Sequence, residues 1–61
     1  MWSDTVVDVD MKKVFEGTRE ETLKWARENI LFAPDTQIHA GDTMRVFTVP
    51  EYLRKYSWQY P

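Results

Sequence analysis

Apolar positions along this chain fall into one stretch of helical period and several short alternating ones. Leu23, Ala26 and Ile30 share one face of a 3.6-residue period, with Arg19 and Thr22 on its margins. Glu20, Lys24, Arg27 and Glu28 fall on the opposite side. Thr18 and Glu21 stand at the spacing of a capping box, in which each side chain meets the other's backbone N–H. Glu20 and Glu21 place negative charge at the positive end of the helix dipole. Pro34 disfavours helical geometry at Ala33, so the pattern predicts one principal helix over about 18–31. Trp25 lies off the stripe, on the flank shared by Thr22 and Asn29. A loop or the C-terminal tail is expected to cover it; left uncovered, it marks a contact surface.

Before the helix, residues 5–11 alternate with Val7, Val9 and Met11 on one face and Val6, Asp8 and Asp10 on the other. Val14, Phe15 and Glu16 resume the pattern after Lys12 and Lys13. Two readings fit: a hairpin turning near 10–13, or one long strand with a bulge. Gly17 then frees the backbone for the bend into the helix. After the helix, Leu31 and Phe32 are expected to tuck under the sheet, and 36–39 form a strand. Gly41 stands where a type II′ turn over 40–43 needs glycine. The strongest strand candidate, 44–49, places Met44 and Val46 on one face and Phe47 and Val49 on the other, so both faces are expected to be covered. Pro50 ends it. Thr48 and Glu51 form a second capping-box pair, predicting a short helical turn over 51–56 with Tyr52 and Tyr56 at i,i+4. Beyond it Tyr56, Trp58 and Tyr60 alternate with polar residues as in a strand. No segment of sequence repeats.

Sixty-one residues make a single domain, 1–61. A chain this short buries only about 60% of its unfolded surface, so its core is small. With no cysteine, disulfides and thiolate metal sites are excluded. That composition, with no apolar run near the ~20 residues of a bilayer span and no leader-like start, leads us to expect a cytoplasmic protein that does not enter membranes. A net charge of −2 with interspersed signs makes duplex nucleic acid an unsuitable partner. Three each of Trp, Tyr and Phe is a high aromatic content for this length. Such rings enlarge a small core, seal a homo-oligomer or anchor an interface.

Candidate chemistry is sparse. A metal site would have to combine His39, the sole histidine, with carboxylates such as Asp35 and Asp42, whereas zinc sites draw on several His or Cys ligands. Asp8 and Asp10 fit the solvent face of a strand, and the two glycines are too far apart for a phosphate loop. No catalytic, cofactor-binding or metal-binding residues are assigned. The candidate partner-binding residues are Trp25 and the run Tyr52, Arg54, Tyr56, Trp58 and Tyr60, because interfaces centre on Trp, Tyr and Arg. The same run, with Lys55, suits a nucleotide or single-stranded nucleic acid, rings stacking on bases and cations meeting phosphates.

Residues 12–25, a strand followed by Gly17-Thr18 and the capped helix, resemble the opening of many small bacteriophage and prophage proteins. The resemblance implies an accessory factor that binds and inhibits a host enzyme or defence complex, and it carries no catalytic residues. The fold expected is α+β: a small, mostly antiparallel sheet of three to five strands packed on one principal helix. The function expected is non-catalytic protein binding, as a phage-type inhibitor or modulator of a host protein. The alternatives are the nucleic-acid reading and a small structural subunit of a larger assembly.

Overall fold

The computed structural model describes residues 2–31 and 35–59. Each half of the chain builds a hairpin followed by a helix. Strands β1 (Asp4–Val7) and β2 (Lys13–Gly17) precede helix α1 (Arg19–Asn29). Strands β3 (Gln37–Ala40) and β4 (Arg45–Thr48) precede helix α2 (Val49–Tyr56), and a 3₁₀ turn follows over Ser57–Gln59. The four strands form one antiparallel sheet in the order β2-β1-β3-β4. Both helices lie on one face, α1 over β1 and β2, α2 over β3 and β4. This is the expected α+β architecture, with α2 a full two-turn helix.

Both helix starts follow the sequence. Thr18 Oγ1 accepts from Glu21 N at 3.2 Å, and Thr18 N donates to Glu21 Oε1 at 2.9 Å. Thr48 and Glu51 repeat the arrangement 30 residues later (48 − 18), at 3.4 and 3.1 Å. Val6, Leu23, Ala26, Ile38, Ala40, Val49, Tyr52 and Tyr56 form the core between the sheet and the helices. Tyr52 and Tyr56 meet edge to face, and Phe47 closes on both rings.

Several expectations are corrected. In β1 Val6 joins the core cluster; of the 7/9/11 set only Val7 is buried, outside that cluster, while Val9 is 75% exposed and Met11 is also exposed. The reason is local. Asp8 Oδ1 accepts from the backbone N–H of Asp10 and of Lys12, both at 2.9 Å, and Met11 takes φ 65°. This side-chain-capped turn ends the strand and makes 4–17 a hairpin, with the register slip between Val6 and Val7 supplying a bulge as well. Asp8 and Asp10 therefore belong to a turn rather than a strand face.

Ile30 caps α1 at 38% exposure instead of joining Leu23. Leu31 is exposed, and Phe32 lies outside the described residues. The β3–β4 connection is a four-residue loop, not a two-residue II′ turn: Ala40 pairs with Arg45, and Met44 N donates to Ala40 O at 2.9 Å. The left-handed residue is Met44, at φ 60°, and Gly41 has no positive φ. Only the helix side of β4 is covered, since Val46 is 49% exposed and Met44 more so. Residues 57–59 coil rather than extend, and Tyr60 lies outside the described residues.

Candidate functional site

Two side-chain clusters stand out, one buried and one open. The buried one centres on Asp4, which has no exposed surface. Its Oδ1 accepts from Arg19 Nη2 at 3.3 Å and from Gly41 N at 2.9 Å; its Oδ2 accepts from Arg19 Nε at 3.0 Å and from the Tyr52 hydroxyl. A carboxylate offers about four lone-pair directions, so all are filled. Arg19 turns its other edge to Asp42, with Nη2 to Oδ1 at 2.7 Å. Its guanidinium lies 3.8 Å from the centre of the Tyr56 ring and 5.4 Å from that of Trp2. Desolvation alone would make Arg19 a weaker base, but its bonds to Asp42 and Asp4 outweigh that and hold it charged. The hydrogen bond from Arg19 holds the Asp42 carboxyl below its ordinary range. Burial, then the bond to Asp4, pushes the Tyr52 phenol well above its own. With every polar atom of Asp4 engaged, this cluster ties β1, α1, the β3–β4 loop and α2 together.

The open cluster lies beside β2, an edge strand of the sheet. Phe15 points to the helix side and stacks on Trp25 of α1, ring centres 6.0 Å apart and planes 26° from parallel. Phe15, Trp25, Glu21, Lys24 and Glu28 line a surface groove of about 300 Å³. The groove runs along α1, because α1 returns antiparallel to β2: Glu21 packs near Gly17 and Trp25 near Phe15. On the other sheet face, Glu16 receives hydrogen bonds from Ser3 and Thr5 and pairs with Lys13 at 3.1 Å. The Lys13 contact is the main cause holding its carboxyl below the ordinary range.

The structure separates the candidate residues. Trp25 is half-buried, packs against the core and stacks on Phe15; residues 32–34, 60 and 61 of the loop and tail expected to cover it lie outside the described residues. Tyr52 and Tyr56 are core, and the 3₁₀ turn over Ser57–Gln59 replaces the strand-like alternation expected to run from Tyr56 to Trp58. Arg54 is exposed, and Trp58 is 74% exposed with its indole N–H donating to Lys55 O at 2.9 Å. Asp4, Arg19 and Phe15 carry the clusters and were not singled out by sequence. Only Arg19 gave a signal, at the margin of the helical stripe. His39 lies on the helix-free sheet face between its strand partners Thr5 and Val46. Its Nε2 is buried without a hydrogen-bond partner among the described residues. Asp42 is engaged by Arg19, and among the described residues no three His, Cys, Asp or Glu side chains gather as metal ligands. No described helix is long and apolar enough to cross a membrane. No family model, curated protein or solved structure matches this chain.

Proposed function

We propose that this chain is a small non-catalytic protein-binding module that modulates the protein it engages. The observation that carries this reading is the Phe15–Trp25 stack, which floors an open groove beside an edge strand while the other large ring pairs close the core. Aromatic surface of that kind, rimmed by charge, suits a binding hot spot. The groove holds no histidine, serine or threonine beside its carboxylates, and the buried carboxylate Asp4 has no free acceptor site, which favours binding over group transfer. The resemblance of residues 12–25 to small bacteriophage proteins gives the direction: occupancy and inhibition of a host protein. The test is parallel capture from lysate of the source cell with the parent and Trp25→Ala, read by quantitative mass spectrometry. A protein retained by the parent and lost by an equally folded Trp25→Ala supports the reading. Retention of nothing above the blank, or salt-sensitive retention of single-stranded oligonucleotide instead, overturns it.

A further inference from the structure

Resting on the protein-binding reading, we infer that the partner docks as an added strand on the free edge of β2. The segment it supplies is extended, with an apolar residue flanked by basic ones on the face turned to α1. β2 ends the sheet, and over 15–17, beyond the bulge at Val14, alternate backbone N–H and C=O groups face outward with no strand partner among the described residues. A strand laid there runs about 4.8 Å from β2. Its helix-side residues rise into the groove, because Phe15, the helix-side residue of β2, already forms the groove floor.

The side chains met along α1 are Glu21, Trp25 and Glu28, at i, i+4 and i+7 on one flank. Helical rise separates them by about 6 and 4.5 Å. Alternate residues of an extended chain are spaced about 6.7 Å, close enough for one ring or aliphatic side chain over Trp25 and one cation toward each glutamate. The Glu28 carboxylate forms no hydrogen bond or ion pair among the described residues, and Glu21 keeps one carboxylate oxygen outside its capping bond. Lys24 shares the rim, so the lining side chains sum to −1 (two glutamates, one lysine). A cation beside the exposed face of Trp25 gains a cation–π contact as well. Lys13 does not oppose it, being turned to the other sheet face and neutralised by Glu16. The β4 edge differs: there Phe47 is sealed against Tyr52 and Tyr56 and leaves no aromatic floor.

The probe is a capped heptapeptide in the order threonine, lysine, threonine, tyrosine, threonine, lysine, threonine, titrated into the intact chain. Trp25 indole and β2 amide resonances provide the readout. Saturable binding below about 1 mM is expected, with β2 amides newly protected from exchange. Replacing both lysines by glutamate should weaken it at least about tenfold. Of two peptides N-methylated on opposite alternate residues, only one should bind, because one set of amides faces β2. Trp25→Ala should weaken binding at a temperature where its circular dichroism matches the parent's, the lost stack with Phe15 lowering its melting temperature modestly. Equal binding of the glutamate peptide, shifts confined to β4 or the helix-free sheet face, or no binding overturns the inference. So does β2 protection that rises with protein concentration alone, which assigns the edge to a second copy. If capture yields a protein partner whose footprint avoids β2, the strand-addition inference falls while the protein-binding reading stands.

Discussion

Asp4 and Tyr52 show how far single residues control this fold. A carboxylate with no exposed surface is tolerable because four donors meet it, two from Arg19, one from Gly41 and one from Tyr52. Asp4→Ala leaves a buried guanidinium short of its partner and should cost about 3–5 kcal/mol, enough to unfold a domain this small. Tyr52→Phe keeps the ring and removes one donor, so a loss of about 1–3 kcal/mol is expected in urea melts at neutral pH. The pH dependence follows from the raised phenol pKa of Tyr52. The fold favours the protonated phenol, so its contribution is complete below the unfolded tyrosine pKa of about 10 and is lost as pH rises above it. Between neutral pH and 11 the parent should therefore lose stability more steeply than Tyr52→Phe; parallel slopes would contradict this. Asp42 acts with the opposite sign. Its lowered pKa gives stability above the ordinary carboxylate range that fades as pH falls below it, and Asp42→Asn should flatten that acid limb. Of this network the sequence marks Arg19, at the stripe margin, and Tyr52 as a ring, but not their bonds to Asp4, because a buried carboxylate is made tolerable by partners 15 to 48 residues away.

At the scale of elements, local chemistry was legible and register was not. Each capping box is a four-residue code read within one turn, so both helix starts follow from Thr18/Glu21 and Thr48/Glu51 alone. The phase of β1 was misread because valines occupy both faces at Val6 and Val7, and because the Asp8 turn cuts the alternation that made 7, 9 and 11 look like a stripe. Ile30 follows a related rule: the helical period continues through the C-cap, and Ile30 stands there outside the core cluster. Leu23→Asp should therefore unfold the domain, whereas Ile30→Asp should stay within about 1 kcal/mol of the parent, as surface changes do. Equal destabilisation in thermal melts would return Ile30 to the core. Gly41 is needed for a reason the turn pattern does not supply. An added Cβ would stand 2.1 Å from Ser3 O, so glycine is needed for close approach rather than for a left-handed turn. Gly41→Ala should push the loop off β1 and break the Gly41–Asp4 bond, and a melting temperature equal to the parent's would refute that account.

At the scale of the molecule, two hairpin-plus-helix units face each other across the β1–β3 pair, although no sequence repeat announced them. They differ at their outer edges. In the second unit Phe47 meets Tyr52 and Tyr56 and closes the core; in the first, Phe15 meets Trp25 and leaves the groove open. Neither unit holds a complete cluster. Asp4 and Arg19 belong to the first, Asp42, Tyr52 and Tyr56 to the second, and the cation stacks between them. The core is similarly divided, with Val6, Leu23 and Ala26 on one side and Ile38, Ala40, Val49, Tyr52 and Tyr56 on the other. Splitting the chain would expose both sets and strand Arg19 without Asp42, while an isolated helix of 11 residues is marginal in water. A fragment of residues 1–34 should therefore show little helical circular dichroism and poorly dispersed amide resonances. In the intact chain, far-UV circular dichroism and tryptophan fluorescence should melt together as one transition. A folded 1–34 fragment, or two separated transitions, would mean that the first unit stands alone and that the Asp4–Arg19 network joins two independent halves.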